Sequence, residues 1–152
     1  MNLVIVDLGC GNIGSVESAF GRFGLQPLVS ADPESIAGAD KVILPGVGAA
    51  GYAMEQVRAR GLGPVLRSLR QPVLGICLGM QLLFDSSEEA ETECLAIVPG
   101  RVRRLEAAPG RPVPHMGWSR LEVRDPTLGL ADGDYVYFAH GFACDDGPAT
   151  AA

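Results

Sequence analysis

Three short apolar runs, at residues 3–6, 42–44 and 72–76, are each followed at once by a glycine-bearing segment. This pattern constrains the fold more than anything else in the chain. The first run, Leu-Val-Ile-Val, is continuous rather than alternating, as expected of a strand covered on both faces. Between the runs, apolar residues recur at helical spacing: Val16, Ala19, Phe20 and Phe23 before Gly24, then residues 52–60 and 62–69. A second short strand is expected at residues 28–29. Asp32-Pro33 supplies an N-cap and a first-turn proline for a brief helix ending near Gly38. Strand and helix alternating at this spacing imply right-handed crossovers and a parallel sheet with helices on both faces, a flavodoxin-like three-layer α/β architecture.

The texture changes after about residue 95. Residues 97–105, 119–123 and 135–139 read as strands between Gly/Pro turns, so an antiparallel extension is expected there. The 152 residues contain neither repeat nor linker and suit a single domain, 1–152. A net charge of −6 argues against nucleic acid as a partner. Nothing resembles a signal peptide or a membrane span. The four cysteines lie far apart, without metal-ligand spacing, and only two histidines are present. These features lead us to expect a cytoplasmic chain without metal or cofactor, in which a single thiol is a candidate for chemistry.

In open parallel sheets, ligands bind beyond the carboxyl ends of the strands. Gly75-Ile76-Cys77-Leu78-Gly79 falls at such an end. Its Gly-x-nucleophile-x-Gly form is that of a strand-to-helix elbow, where flanking glycines let the chain turn sharply and present the nucleophile. The Leu78 N–H would open the next helix, aimed at a developing oxyanion. A cysteine buried at a tight turn is the bland alternative. Pro45-Gly46-Val47-Gly48 offers a backbone that a substrate could approach closely, although on its own it is equally a plain turn. Gly9, Gly11 and Gly14 form a Gly-x-Gly-x-x-Gly, a weak nucleotide signal whose expected acidic partner could only be Asp32. A cysteine nucleophile needs a base. His115 and His140 are the available imidazoles, and each also fits a structural histidine. Pro114-His115-Met116-Gly117-Trp118 reads as a turn whose Met and Trp either fill core or contact a partner. The acidic run at residues 85–89 is either a solvated helix end or a holder for a substrate ammonium.

The segment Leu74-Gly75-Ile76-Cys77-Leu78-Gly79-Met80-Gln81-Leu82-Leu83-Phe84 resembles the nucleophile region of class I, triad-type glutamine amidotransferases. Gly11-Asn12-Ile13-Gly14-Ser15-Val16, the Pro45-to-Gly48 loop and Pro114-His115-Met116-Gly117-Trp118 narrow the likeness to the glutaminase subunits of imidazole glycerol phosphate synthases. The resemblance implies hydrolysis of glutamine, with ammonia passed to a (β/α)8-barrel cyclase subunit in histidine biosynthesis. It also implies Cys77 as nucleophile and an oxyanion hole from Val47, Gly48 and Leu78. Gly48, Gln81 and Glu89 would line the glutamine site, and Asn12, Met116 and Trp118 would lie near the cyclase. The Pro45-to-Gly48 strand would be the element that rearranges when the partner engages.

Two departures accompany the likeness. The family's base and its orienting carboxylate come from a His-Pro-Glu motif, which occurs nowhere in these residues, and His140-Gly141-Phe142 stands where His, Ser or Thr, and Tyr are usual. The chain is therefore expected to be incomplete at its C-terminal end and impaired in glutaminase turnover. The missing strands and helix would leave apolar faces of the first strand and its helices open. The other readings are a non-catalytic module that keeps cyclase binding, and a cysteine-elbow hydrolase of the PfpI type, for which Asp7 is the only early acidic candidate.

Overall fold

The computed structural model describes residues 1–126, 129–147 and 150–152, which form two compact units, Met1–Val102 and Arg103–Ala152. The first unit is built on four parallel strands: β1 (Leu3–Val6), β2 (Leu28–Ser30), β3 (Lys41–Gly46) and β4 (Val73–Cys77), in the order β2-β1-β3-β4. Side chains of successive strand residues point to opposite faces, and the two cores follow that alternation. Leu3, Ile5 and Ile43 pack on one face against Ile13, Val16 and Phe20 of α1 (Ile13–Gly21). Val4, Val6, Val42 and Leu44 pack on the other. There they meet Ile36 of α2 (Pro33–Ala37), Ala53, Met54 and Val57 of α3 (Ala50–Ala59), and Leu62 and Leu66 of α4 (Leu62–Ser68). Val4, Val6, Val42 and Leu44 are fully buried, each stabilising the fold by roughly 1.5–3 kcal/mol. The expected three layers are present.

Helix ends follow the sequence. The Asp32 carboxylate accepts the Ser35 N–H at 2.8 Å and caps α2, with Pro33 in the first turn. The Ser35 hydroxyl also donates to it, at 2.6 Å, and these bonds, the hydroxyl first, hold its pKa below the usual carboxylate value. Asn12 caps α1 by accepting the Ser15 N–H at 3.2 Å. After β4 comes the four-residue helix α5 (Leu78–Gln81). Two short strands, β5 (Ser86–Ser87) and β6 (Thr92–Glu93), follow, joined by a 3-10 turn at Glu89–Glu91.

Three expectations need correction. β1 is buried along its whole length, and the open apolar residues of this unit lie elsewhere, among them Leu74 and Ile76 on the edge strand β4, Leu28 on the edge strand β2, and Phe23 beyond α1, 81% exposed. α1 does lie open, with no buried residue. Second, the extension is not wholly antiparallel. β7 (Arg101–Arg104) begins at residue 101 rather than 97, and Arg101 and Val102 pair parallel with Ser86 and Ser87. Third, residues 114–118 are not a turn. β8 (His115–Arg120) already starts at His115 and pairs antiparallel with β9 (Tyr135–His140) over its full length. Tertiary pairing across a loop supplied what local Gly/Pro signals concealed.

β10 (Phe142–Cys144) completes the second unit, in which the Leu105 N–H donates to the Gly141 carbonyl at 2.9 Å. Arg103–Asp145 and Arg124–Asp146 ion pairs fasten its exposed surface.

Candidate active site

The Pro45-to-Gly48 segment and the cysteine elbow lie side by side because β3 and β4 are parallel neighbours in register, with Pro45 opposite Ile76 and Gly46 opposite Cys77. Both strands therefore reach the same carboxyl edge together. Cys77 ends β4 and caps the start of α5 at φ 53°, ψ −118°. A non-glycine residue held there costs of order 1–3 kcal/mol and persists only where its surroundings over-determine it.

Three glycines supply that determination. A Cβ on Gly79 would collide with the Leu44 carbonyl oxygen. One on Gly75 would stand 2.5 Å from Met80 Cα, and one on Gly46 would stand 2.7 Å from the Gly79 nitrogen. α5 thus lies directly on the backbones of β3 and β4, a contact that only hydrogen side chains allow. The result is an exposed, free thiol on a rigid bend, with the Leu78 side chain buried beneath it. The first four N–H groups of a helix have no intrahelical acceptor, so the start of α5 is suited to meet negative charge. Val47 is 49% exposed beside this bend and Gly48 adopts φ +95°, a conformation that favours glycine.

Gln81, at the end of α5, is buried. The acidic run is not a solvated helix end. The Asp85 carboxylate accepts the Gly100 N–H at 2.9 Å, and the Glu89 carboxylate accepts the Ala50 N–H at 2.7 Å. Asn12 lies exposed after β1, again at the carboxyl edge. In the same loop, burial pushes the Cys10 thiol up more than the nearby Arg60 draws it down, so it is not an activated second nucleophile. Asp7 accepts the Gly9 N–H at 2.7 Å within its own turn.

In the second unit, taken by itself, His115 and His140 are cross-strand partners with ring centroids 5.5 Å apart. His115 Nε2 lies 3.1 Å from the Ser119 hydroxyl, and His140 Nδ1 lies 2.8 Å from the Phe142 carbonyl. Both imidazoles are thus engaged locally. Met116 and Trp118 project from the opposite face of the ribbon, 61% and 69% exposed, and Trp118 packs edge-on against Tyr137. Within these residues the pair does not fill core. Among the described residues no cluster of His, Cys, Asp and Glu could hold a metal ion, and no helix is long and apolar enough to cross a membrane.

Sequence reasoning missed the part played by Gly46 and the bond that the Ala50 N–H donates to Glu89. The first had a signal, a glycine at the end of a buried strand. The second had none, since its partners lie 39 residues apart.

A family model described as glutamine amidotransferase class-I matches residues 4–151. The imidazole glycerol phosphate synthase subunit HisH of Xanthomonas campestris pv. campestris (strain 8004) is 48% identical over 145 residues, covering 93% of this chain and 72% of that protein. The HisH subunit of Escherichia coli (strain K12) is 47% identical over 156 aligned positions, covering 100% of this chain and 79% of that protein. A crystal structure of a glutamine amidotransferase superposes with a TM-score of 0.67 at 17% identity, over 90% of this chain and 70% of the other, a likeness of fold alone.

Proposed function

Because the chain belongs to the class-I glutamine amidotransferase family, and within it to the HisH subunits of imidazole glycerol phosphate synthase, we propose that Cys77 is the nucleophile of its glutaminase reaction. The observation that carries this reading is the strained, glycine-locked presentation of that one exposed thiol. Glutamine would bind at the shared carboxyl edge of β3 and β4. The Cys77 sulfur attacks the side-chain amide carbon, and the Leu78 N–H and peptide N–H groups at Val47 and Gly48 receive the resulting oxyanion. The C–N bond then breaks and ammonia leaves, its third hydrogen derived from the thiol. Water hydrolyses the remaining thioester to glutamate and restores the thiol. Gly48, Gln81 and Glu89 complete the glutamine site in this reading. A glycine at position 48 lets the neighbouring peptide take either orientation, as an inducible oxyanion hole requires.

The ammonia acceptor would be a (β/α)8-barrel cyclase subunit. Met116 and Trp118 on the exposed face of β8–β9 are the anchors we assign to that partner, with Asn12 at the carboxyl edge of the first unit. A bare Trp beside a Met is the composition of a binding hot spot. A reducing cytoplasm is the setting that keeps a thiol nucleophile free. We treat both units as one amidotransferase domain, since the family match runs through both.

Residues 1–152 contain no His-Pro-Glu, and His115 and His140 are hydrogen-bonded within their own unit. A polypeptide of these residues alone should therefore release ammonia from glutamine several orders of magnitude more slowly than an intact triad enzyme. The assay is ammonia release with the cyclase subunit added. Turnover at a normal family rate would mean that a base reaches Cys77 from one of these histidines or from the partner. Cyclase binding without labelling of Cys77 by a glutamine-like electrophile would favour a non-catalytic module.

A further inference from the structure

The oxyanion segment is anchored at its entrance by the pairing of Gly46 with Cys77, and its exit, residues 47–49, runs straight into α3. Ala49 occupies the N-cap of α3 with φ −93° and ψ 139°, the backbone of a capping residue, yet its side chain has no acceptor to offer. The carboxylate of Glu89, from another part of the chain, instead satisfies the first orphan N–H of the helix, accepting the Ala50 N–H at 2.7 Å. A charged acceptor at a helix start is stronger than a neutral one and is favoured by the helix dipole.

Glu89 is itself held firmly. Its N–H donates to the Ser87 hydroxyl at 3.1 Å, and its carbonyl accepts from the Thr92 hydroxyl at 2.7 Å. Ser87 and Thr92 are both buried. The two residues that follow, Ala90 and Glu91, take left-handed φ values of 54° and 45°. A strained turn with buried hydroxyl braces is an elaborate support for one carboxylate. Such support is explained if the direction of that carboxylate matters.

We propose that Glu89 is a positioning residue that fixes the exit of the oxyanion segment by capping α3. The proposal rests on the reading of Val47 and Gly48 as oxyanion donors. It differs from a role in holding glutamine alone, because it makes the placement of residues 47–49 depend on a group 39 positions away. A carboxylate can accept about four hydrogen bonds. The same group can therefore meet a substrate ammonium while it holds the helix, tying substrate occupancy to the loop.

The test uses the full chain, with amide exchange at Ala50 and labelling of Cys77 by a glutamine diazo ketone as separate readouts. Glu89→Ala should speed exchange at Ala50 by about fivefold to tenfold. Glu89→Gln, which keeps a carbonyl acceptor, should change it by less than about threefold. Adding Ala49→Ser to Glu89→Ala supplies a local cap for the N–H of Gly51 or Tyr52 and should return exchange at those two amides, raised in Glu89→Ala as the helix start frays, to within about twofold of the parent, with part of the Cys77 labelling rate. A residue that only binds substrate would not be rescued by a serine at position 49. Unchanged Ala50 exchange in Glu89→Ala, or no rescue by Ala49→Ser, would overturn the proposal. Should Glu89→Ala fail to fold, folding of the double variant supports the cap and its failure overturns it. If the parent chain is never labelled by the diazo ketone, the glutaminase reading falls, while exchange at Ala50 still judges the cap.

Discussion

The cysteine elbow and the β8–β9 ribbon carry most of the candidate functional residues, and they are specified in opposite ways. At the elbow, geometry is dictated by what is absent: Gly46, Gly75 and Gly79 let α5 touch the backbones of β3 and β4, and Cys77 has nowhere else to go. In the ribbon, geometry comes from register. Pairing His115 with His140 and Trp118 with Tyr137 sorts the histidines onto one face and the exposed Met and Trp onto the other. A backbone contact tolerates almost no substitution, whereas a ribbon face can change residue by residue. The first device suits chemistry and the second suits a partner.

The sharpest way to break this contrast is to put a methyl group into each region. Gly79→Ala drives a Cβ into the Leu44 carbonyl and should destabilise the protein by more than about 3 kcal/mol, read by denaturant titration. Gly141→Ala, at the position where the ribbon ends after His140, meets Val113 Cγ1 at an ordinary 3.9 Å and should cost less than about 0.5 kcal/mol. Equal losses would mean that the elbow is not locked as described. A smaller effect on stability, but a large one on assembly, is expected for Trp118→Ala. Its side chain is solvent-facing, so the melting midpoint should hardly move, while affinity for the proposed cyclase partner should fall by about tenfold or more in a calorimetric titration.

The mildest probe compares thiols. Burial, and then the neighbouring Asp145, push the Cys144 thiol up to about 11, so a haloacetamide at pH 8 should modify exposed Cys77 well before Cys144. A thiol whose folded value is raised lends its support below its unfolded value of 9.0 and loses it as pH climbs toward 11. Unfolding around β10 and Cys144 labelling should therefore rise together only in that alkaline window, followed by peptide mass spectrometry.

Much of the first unit was legible because its signals are local. The continuous apolar run at residues 3–6 marks a doubly covered strand, Asp32-Pro33 marks a helix start, and paired glycines around a cysteine mark a bend. The ribbon was less legible. Pro114 and Gly117 carry turn propensity, and only the partner strand, Tyr135–His140, turns residues 115–118 into a strand. Likewise the acidic run at 85–89 left its role open, since the helix that Glu89 caps is distant in sequence. Interactions between remote segments, not weak propensities, set the limit of what could be read.

The triple-glycine contact also separates what can evolve from what cannot. None of the three can acquire a side chain without a simultaneous shift of two strands and a helix, so single-step drift at those positions is blocked. The thiol they display faces open space, and a different reactive group at position 77 meets no such obstacle. A library that diversifies the displayed group and the rim around it, while leaving the glycines fixed, would explore new reactivity on an unaltered platform.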